Sequence, residues 1–321
     1  MMDVAVIRHS KNYMDIQIQG RVGKRMEETS GYGKISKQLG ELLPHEGDPV
    51  NLWVCPPYDR KLPEGFNAIL TMHETEDLPP SKATWVANLN QYNLIFVPSQ
   101  WNKNNFIRFG VTKPIEVVPL GVNIDTFSTG KTPEFSTLTM HDNFGRETSR
   151  ENWKETLEVY IKTFQGYKDT VLYIKTWNHR EGAEQEIINE VCQNEKIHRA
   201  LVPQIKIVTE VFTDEGLAAF MRSMRVFVKN ANREGWSLPL NEAISCGLTC
   251  LYRNIPTLRW AHGTGAIDFD STDQLSALLL SFYHLYYRIE KVNKKRYDIS
   301  NTAKAIAKYI QQYYDTAKQT V

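Results

Sequence analysis

Short apolar runs rich in β-branched and aromatic residues alternate with helix-patterned stretches along the whole chain, and the alternation is run through twice. That order predicts parallel sheets, because parallel strands must be joined by a crossover, usually a helix, and not by a tight turn. In the first series the strand candidates are VAVI (4–7), MDIQI (14–18), VNLWVC (50–55), NAILTM (67–72), LIFVP (94–98) and IEVVP (115–119). Helix candidates are 33–43, a stretch near 81–91, and 99–110, which opens on Ser99 as a cap and closes on Gly110. In the second series, strands at 136–140, 170–175, 204–210, 226–230, 248–253 and 265–269 alternate with helices near 151–165, 182–198, 213–224, 239–246 and 272–290.

The segment DTFSTGKTPEFS (125–136) is rich in Thr, Ser, Gly and Pro and reads as the linker between the two series. The expected organisation is a first domain over 1–130 and a second over 131–300. A terminal helix over 301–321 would pack back toward the first domain through Ala303, Ile306, Ile310, Tyr313 and Tyr314. A length of 321 residues agrees with two domains of roughly 150 residues each. No apolar run approaches the ~20 residues that span a bilayer. The start, MMDVAVIRHSKNYMD, lacks the apolar core and cleavage site of a signal peptide, so it is read as a first strand and the protein as cytosolic. The four cysteines form no C-x-x-C pair and have no histidines at metal-ligand spacing, so burial is expected for all four and no metal site is indicated. A net charge of +1 argues against a dedicated nucleic-acid binder, although a local basic groove stays open.

In doubly wound sheets ligands bind beyond the carboxyl ends of the strands, and a cleft between two domains is a common site for a small molecule. The most informative stretch at such a strand end is NREGWSLPLNEAISCG (232–247), which follows the strand VFVKN and reads as loop, then helix. Ser237 can cap that helix, Pro239 suits its first turn and Gly247 ends it. Glu234 and Glu242 bracket the turn eight positions apart, and Gly235 lets the backbone approach a ligand. A diphosphate fits the free amides of the helix start, while the flanking carboxylates suit sugar and ribose hydroxyls.

The string EGWSLPLNEAISCG resembles the E-x7-E segment of retaining glycosyltransferases of the GT-B fold, in the large family called family 4 (glycosyl transferases group 1). The stretch YNLIFVPSQWNKNNFIRFGVTKPIEVVPLGVNIDTF (92–127) is similar to the family's run into its linker, and SGYGKISKQLGELL (30–43) to its glycine-rich loop and first helix. The resemblance implies two Rossmann-like doubly wound domains facing across a cleft, with an acceptor bound by the first and a nucleotide-sugar, such as a UDP- or GDP-sugar, by the second. It implies that Glu234 contacts the donor sugar, Glu242 the ribose, and Gly235, Trp236, Ser237 and Leu238 the phosphates, with Gly31 and Gly33 approaching them from the other side. Arg146 matches the family's phosphate-binding arginine. The family's lysine falls on or beside Glu151, a charge reversal, and Arg150, Lys154 and Lys175 are the candidate substitutes. No cofactor and no metal is implied, and the only D-x-D near the site, Asp268 and Asp270, reads as a strand end.

His73 and Glu74 follow an apolar strand of the first domain, where groups that touch acceptor or donor sugar belong, so His73 joins Glu234 and Arg146 as a catalytic candidate. His9 is a weaker candidate after the first strand. The loop GRVGKR (20–25), with Arg21, Lys24 and Arg25, reads either as a solvated turn or as a contact to an acceptor phosphate or nucleic acid. The expected reaction is glycosyl transfer with retention, onto a glycan, protein, lipid or modified DNA base. A non-catalytic scaffold that binds nucleotide or sugar stays open because of Glu151, and a transferase acting on hydroxymethylated DNA bases because of the 20–25 loop. The tyrosines Tyr283, Tyr286 and Tyr287, and Tyr309, Tyr313 and Tyr314, read as packing.

Overall fold

The computed structural model describes residues 14–19, 31–130, 135–141, 150–262, 265–285 and 294–319. The strand expected at 4–7, His9, the 20–25 loop, Arg146, Tyr286 and Tyr287 lie outside these residues.

Strands β1 (Met14–Gln19), β2 (Asp48–Val54), β3 (Phe66–Leu70), β4 (Leu94–Val97) and β5 (Ile115–Val117) form one parallel sheet in chain order. Every residue of β3 and β4 is buried. Strands covered on both faces read as unbroken apolar runs, which explains FNAIL and LIFV. Helix α1 (Gly31–Leu42) packs Ile35 and Leu39 against Val50, Leu52 and Val54 on one face. Helices α2 (Trp85–Leu89) and α3 (Gln100–Arg108) pack on the other, placing Trp85, Leu89 and Phe106 against Ile69, Ile95 and Val97. Ser99 caps α3, its side chain accepting from the Asn102 amide.

The second sheet holds β6 (Ser136–His141), β7 (Val171–Thr176), β8 (Gln204–Val208), β9 (Val226–Lys229), β10 (Thr249–Arg253) and β11 (Ile267–Phe269), all parallel, in the order β11-β10-β9-β6-β7-β8. The chain runs outward from β6 through β7 to β8, then returns to lay β9 on the other side of β6. The strand order therefore reverses between β6 and β9, and ligands bind at such a switch point. Between the strands lie α4 (Trp153–Thr163), α5 (Ala183–Asn194), α6 (Asp214–Arg222), α7 (Leu238–Cys246), α8 (Pro256–His262) and α9 (Thr272–His284).

One apolar cluster is shared by both sheets, joining Leu52 and Leu120 of the first half to Leu138, Trp236 and Leu240 of the second. The last helix, α10 (Ile299–Gln319), lies on the first sheet: Tyr313 donates to Glu116 at 2.7 Å and Tyr314 packs edge-on to Phe66. The chain reaches it by a backbone crossing in which Val122 N donates to Tyr297 O at 2.7 Å and Ile299 N to Val122 O at 3.0 Å. Gly121 sits inside that crossing, where a Cβ would stand 2.4 Å from the Ile299 nitrogen.

Three local readings differ from the structure. The short helix α8 was not anticipated, because seven residues pressed between β10 and β11 carry too little periodicity to be seen. Cysteines Cys55, Cys246 and Cys250 are buried, but Cys192 is only half-buried, near the end of α5. The 3–10 turn Pro80–Lys82 precedes α2, so the helix expected near 81–91 is short and starts late. Among the described residues no helix is long and apolar enough to cross a membrane.

Candidate functional site

A cleft of about 480 Å³ opens at the carboxyl ends of β6, β7 and β9 and is closed from the first domain by the start of α1 and the loop after β3. Each wall follows from local structure.

The chain leaves β9 at Lys229 and turns into α7 through Glu234, Gly235, Trp236 and Ser237. Two long-range bonds fix this turn: Trp236 Nε1 and Asn241 Nδ2 both donate to Leu120 O, at 2.9 and 2.8 Å. Asn102, the residue held by the Ser99 cap, donates through Nδ2 to Gly235 O at 3.2 Å and accepts from the His73 amide at 2.6 Å. The two domains are thus stitched at the turn itself. Gly235 leaves room there, since a Cβ would lie 2.8 Å from Met72 Sδ and that side chain would have to shift.

Ser237 does not cap α7 as expected. It is left-handed, with φ 76° and ψ 77°, and its side chain makes no cap bond. Positive φ is uncommon and strained for a residue other than glycine. Ser237 lines the cleft, and its hydroxyl is buried with no hydrogen-bond partner among the described residues. The amides of Ser237 and Leu238 likewise have no acceptor there. The Gly235 amide is already taken, donating to Glu234 Oε1 at 3.1 Å. A helix start left open in this way presents positive partial charge to the cleft.

Glu234 is 4% exposed and receives Lys229 Nζ at 2.9 Å and Arg150 Nη1 at 3.3 Å. Glu151 is 3% exposed and receives the same Lys229 ammonium at 3.2 Å and Arg150 Nε at 3.2 Å. Four buried or half-buried charges therefore balance as two of each sign. Desolvation alone would raise both carboxyls and lower the lysine. The pairing outweighs it: Glu151 is held down at about 2 by Lys229 and Arg150, Glu234 is lowered by the same two cations, and Lys229 is raised by Glu234 and Glu151. Arg150 also pairs with Glu74, which reaches in from the first domain.

Glu242, on α7 and 3% exposed, is met by Lys34 Nζ from α1 at 3.0 Å, and the same ammonium lies 3.2 Å from Asp214. Lys175, one residue before the end of β7, is also buried, with its ammonium over the rings of Trp177 and Phe212 at 5.5 and 5.8 Å. Its pKa is lowered, first by desolvation and then by Lys34.

Of the residues singled out from sequence, Glu234, Trp236, Ser237, Leu238, Glu242, Gly31, Arg150 and Lys175 line this cleft. Gly33 is buried in α1 behind Gly31. Lys154 points away, pairing on the surface with Glu190 at 3.0 Å. His73 does not line the cleft. It is fully buried, its ring set edge-on to Trp85 and Phe109 and its Nε2 against Asp77 O at 3.0 Å, and the next residue, Glu74, faces inward instead. Asp270 accepts from Asn254 at 2.8 Å at the end of β11, and neither it nor Asp268 lines the cleft. Two charged cleft residues were missed, Lys34 and Lys229. The second left a signal: a lysine that ends an otherwise apolar buried strand, VFVK, must meet a counter-charge.

Two facing doubly wound sheets, with a charged cleft at the switch point of the second, define the GT-B fold. No protein-family model and no curated protein matches the sequence. Solved structures share the fold. An α,α-trehalose-phosphate synthase (UDP-forming) from Burkholderia vietnamiensis superposes with a TM-score of 0.61 at 13% identity, over 92% of this chain and 78% of the other. A sucrose-phosphate synthase from Thermosynechococcus elongatus gives 0.52 at 14% identity, over 79% and 68%. The pneumococcal O-GlcNAc transferase GtfA, solved with UDP and GlcNAc, gives 0.52 at 15% identity, over 85% and 56%.

Proposed function

We propose that the chain is a glycosyltransferase that moves a sugar from a nucleotide-diphosphate sugar, such as a UDP- or GDP-sugar, to an acceptor entering from the first domain. One observation carries this reading: the open start of α7, with the amides of Ser237 and Leu238 unpaired among the described residues and the buried Ser237 hydroxyl, lies between two buried carboxylates. Anions bind at such helix starts, and carboxylates accept from hydroxyls, so a diphosphate flanked by two sugars fits the order of groups. The shared fold, found in solved structures of sugar-phosphate synthases, supports it.

In this reading Glu234 accepts from hydroxyls of the donor sugar and Glu242 from the ribose. The α7 amides, Arg150 and Lys175 stabilise the diphosphate as its bond to the anomeric carbon breaks. Such fixed donors act on charge that develops in the transition state, and removing one commonly costs about 10²–10³ in rate. The acceptor oxygen bonds to the anomeric carbon on the face the diphosphate leaves, and its proton passes to the departing phosphate oxygen. The configuration is retained and no separate base is needed. Glu74 stands on the acceptor side of Arg150, where it would orient an acceptor hydroxyl.

A mass-spectrometric screen of the purified protein against a panel of nucleotide-sugars tests the reading. Release of UDP or GDP from one donor, reduced at least tenfold in Glu234→Gln and Glu242→Gln, is expected. Turnover unchanged in both variants would remove these carboxylates from the site.

A further inference from the structure

Glu151 stands on or beside the position where the family resemblance implies a lysine, and a buried carboxylate facing a diphosphate would repel it. The structure supplies its counter-charge from the adjacent strand. Residues 150–152 are held against 230–232 by a short antiparallel pairing, with Asn232 N donating to Arg150 O at 3.1 Å and Asn152 N to Asn230 O at 2.8 Å. This ladder fixes Glu151 beside the end of β9, so that Lys229 Nζ lies 3.2 Å from it. Lys229 is 3% exposed, and a lysine so buried keeps its charge only with acids at hand. An ammonium has three N–H donors. Two point to Glu151 and to Glu234, the third has no partner among the described residues, and Lys229 lines the cleft.

We infer that Lys229 delivers to the donor diphosphate the positive charge that the family resemblance implies on or beside position 151, with Glu151 serving as the counter-ion that holds the ammonium in place. The added positive charge then comes from the β9 side of the switch point, beside Arg150 on the β6 side, and the acid at 151 is compatible with a donor site. The inference rests on the donor site proposed above.

Calorimetric titration with UDP and GDP, paired with thermal melting, tests it. In Lys229→Met/Glu151→Gln both charges leave together, so no uncompensated ion stays buried. This variant is expected to melt near the wild type and bind the preferred nucleotide at least about tenfold more weakly. Lys229→Met/Glu151→Lys, which returns the cation to the family's position, is expected to regain binding to within about threefold of the wild type. Glu151→Gln alone leaves the ammonium in place and removes one negative charge, so binding about threefold tighter is expected. Wild-type affinity in the folded Met/Gln variant, or weaker binding in Glu151→Gln, would overturn the inference while leaving the donor site standing. Failure of the wild type to bind either nucleotide would overturn the donor site, and the inference with it.

Discussion

Lys34 Nζ, on α1 of the first domain, lies 3.0 Å from Glu242 Oε1 on the helix that opens into the cleft of the second. The carboxylate proposed to read the ribose is therefore held by a cation from the opposite wall. Burial would lower the Lys34 pKa, but Glu242 and Asp214 together raise it, so the ammonium stays charged.

Removing that cation should loosen the junction between the domains. Breaking a buried ion pair from one side costs about 3–5 kcal/mol, and Lys34 keeps 19% of its side chain in contact with solvent, which reduces the loss to about 1–3 kcal/mol. Lys34→Met is expected to lose that much in urea denaturation and to show a larger radius of gyration in small-angle scattering. Unchanged stability would mean that the junction does not depend on the pair.

Ser237 sets stability against function. Its left-handed backbone at φ 76° costs about 1–2 kcal/mol that glycine would not incur, although glycine is also freer when unfolded. Ser237→Gly is expected to match or exceed the wild type in thermal stability while binding UDP or GDP more weakly, because the buried, unpartnered hydroxyl at this cleft-lining residue is gone. Lower stability with undiminished binding would contradict the role given to this residue.

Acid sensitivity should begin well above the range of carboxylates. Burial holds His141 and His262 at about 4, below their ordinary 6.5. The unfolded chain therefore takes up protons first, and the stability that each contributes is full above about 6.5 and lost as the pH falls toward 4. Glu151, held at about 2 against its ordinary 4.5, adds a second loss as the pH falls from 4.5 toward 2. The urea midpoint is expected to decline steadily from pH 7 to pH 4, with a shallower slope in His262→Gln. A flat midpoint between pH 7 and pH 5 would contradict this.

The crossing that carries the chain to α10 leaves no room at Gly121, where an added Cβ meets backbone atoms of Asp298 and Ile299 at 2.4–2.6 Å. Backbone cannot swing aside as a side-chain tip can. Gly121→Ala is expected to cost about 1–3 kcal/mol in denaturation, whereas Gly40→Ala, whose nearest neighbour would be Ile18 Cδ1 at 3.7 Å, should be close to neutral.

The fold was legible because each strand announces itself locally: FNAIL, LIFV and VFVK are buried runs bounded by turn residues. The bracket of Glu234 and Glu242 around a helix start was legible for the same reason, since helix geometry fixes it within one segment. Residues that depend on strand order were not. Lys229 meets Glu151 only because β9 returns to lie beside β6, and nothing near residue 229 or 151 records that adjacency. Lys34 meets Glu242 across 208 positions of sequence. His73 and Glu74 are neighbours in sequence, and their opposite placement turns on an aromatic cluster built from α2 and the end of α3, which claims the imidazole and leaves the carboxylate to the cleft.

A crystal soaked with UDP or GDP tests the donor site most directly. The diphosphate should appear at the start of α7, accepting from the amides of Ser237 and Leu238, with the ribose hydroxyls on Glu242. Nucleotide bound elsewhere, or a ribose that leaves Glu242 paired only with Lys34, would contradict the assignment.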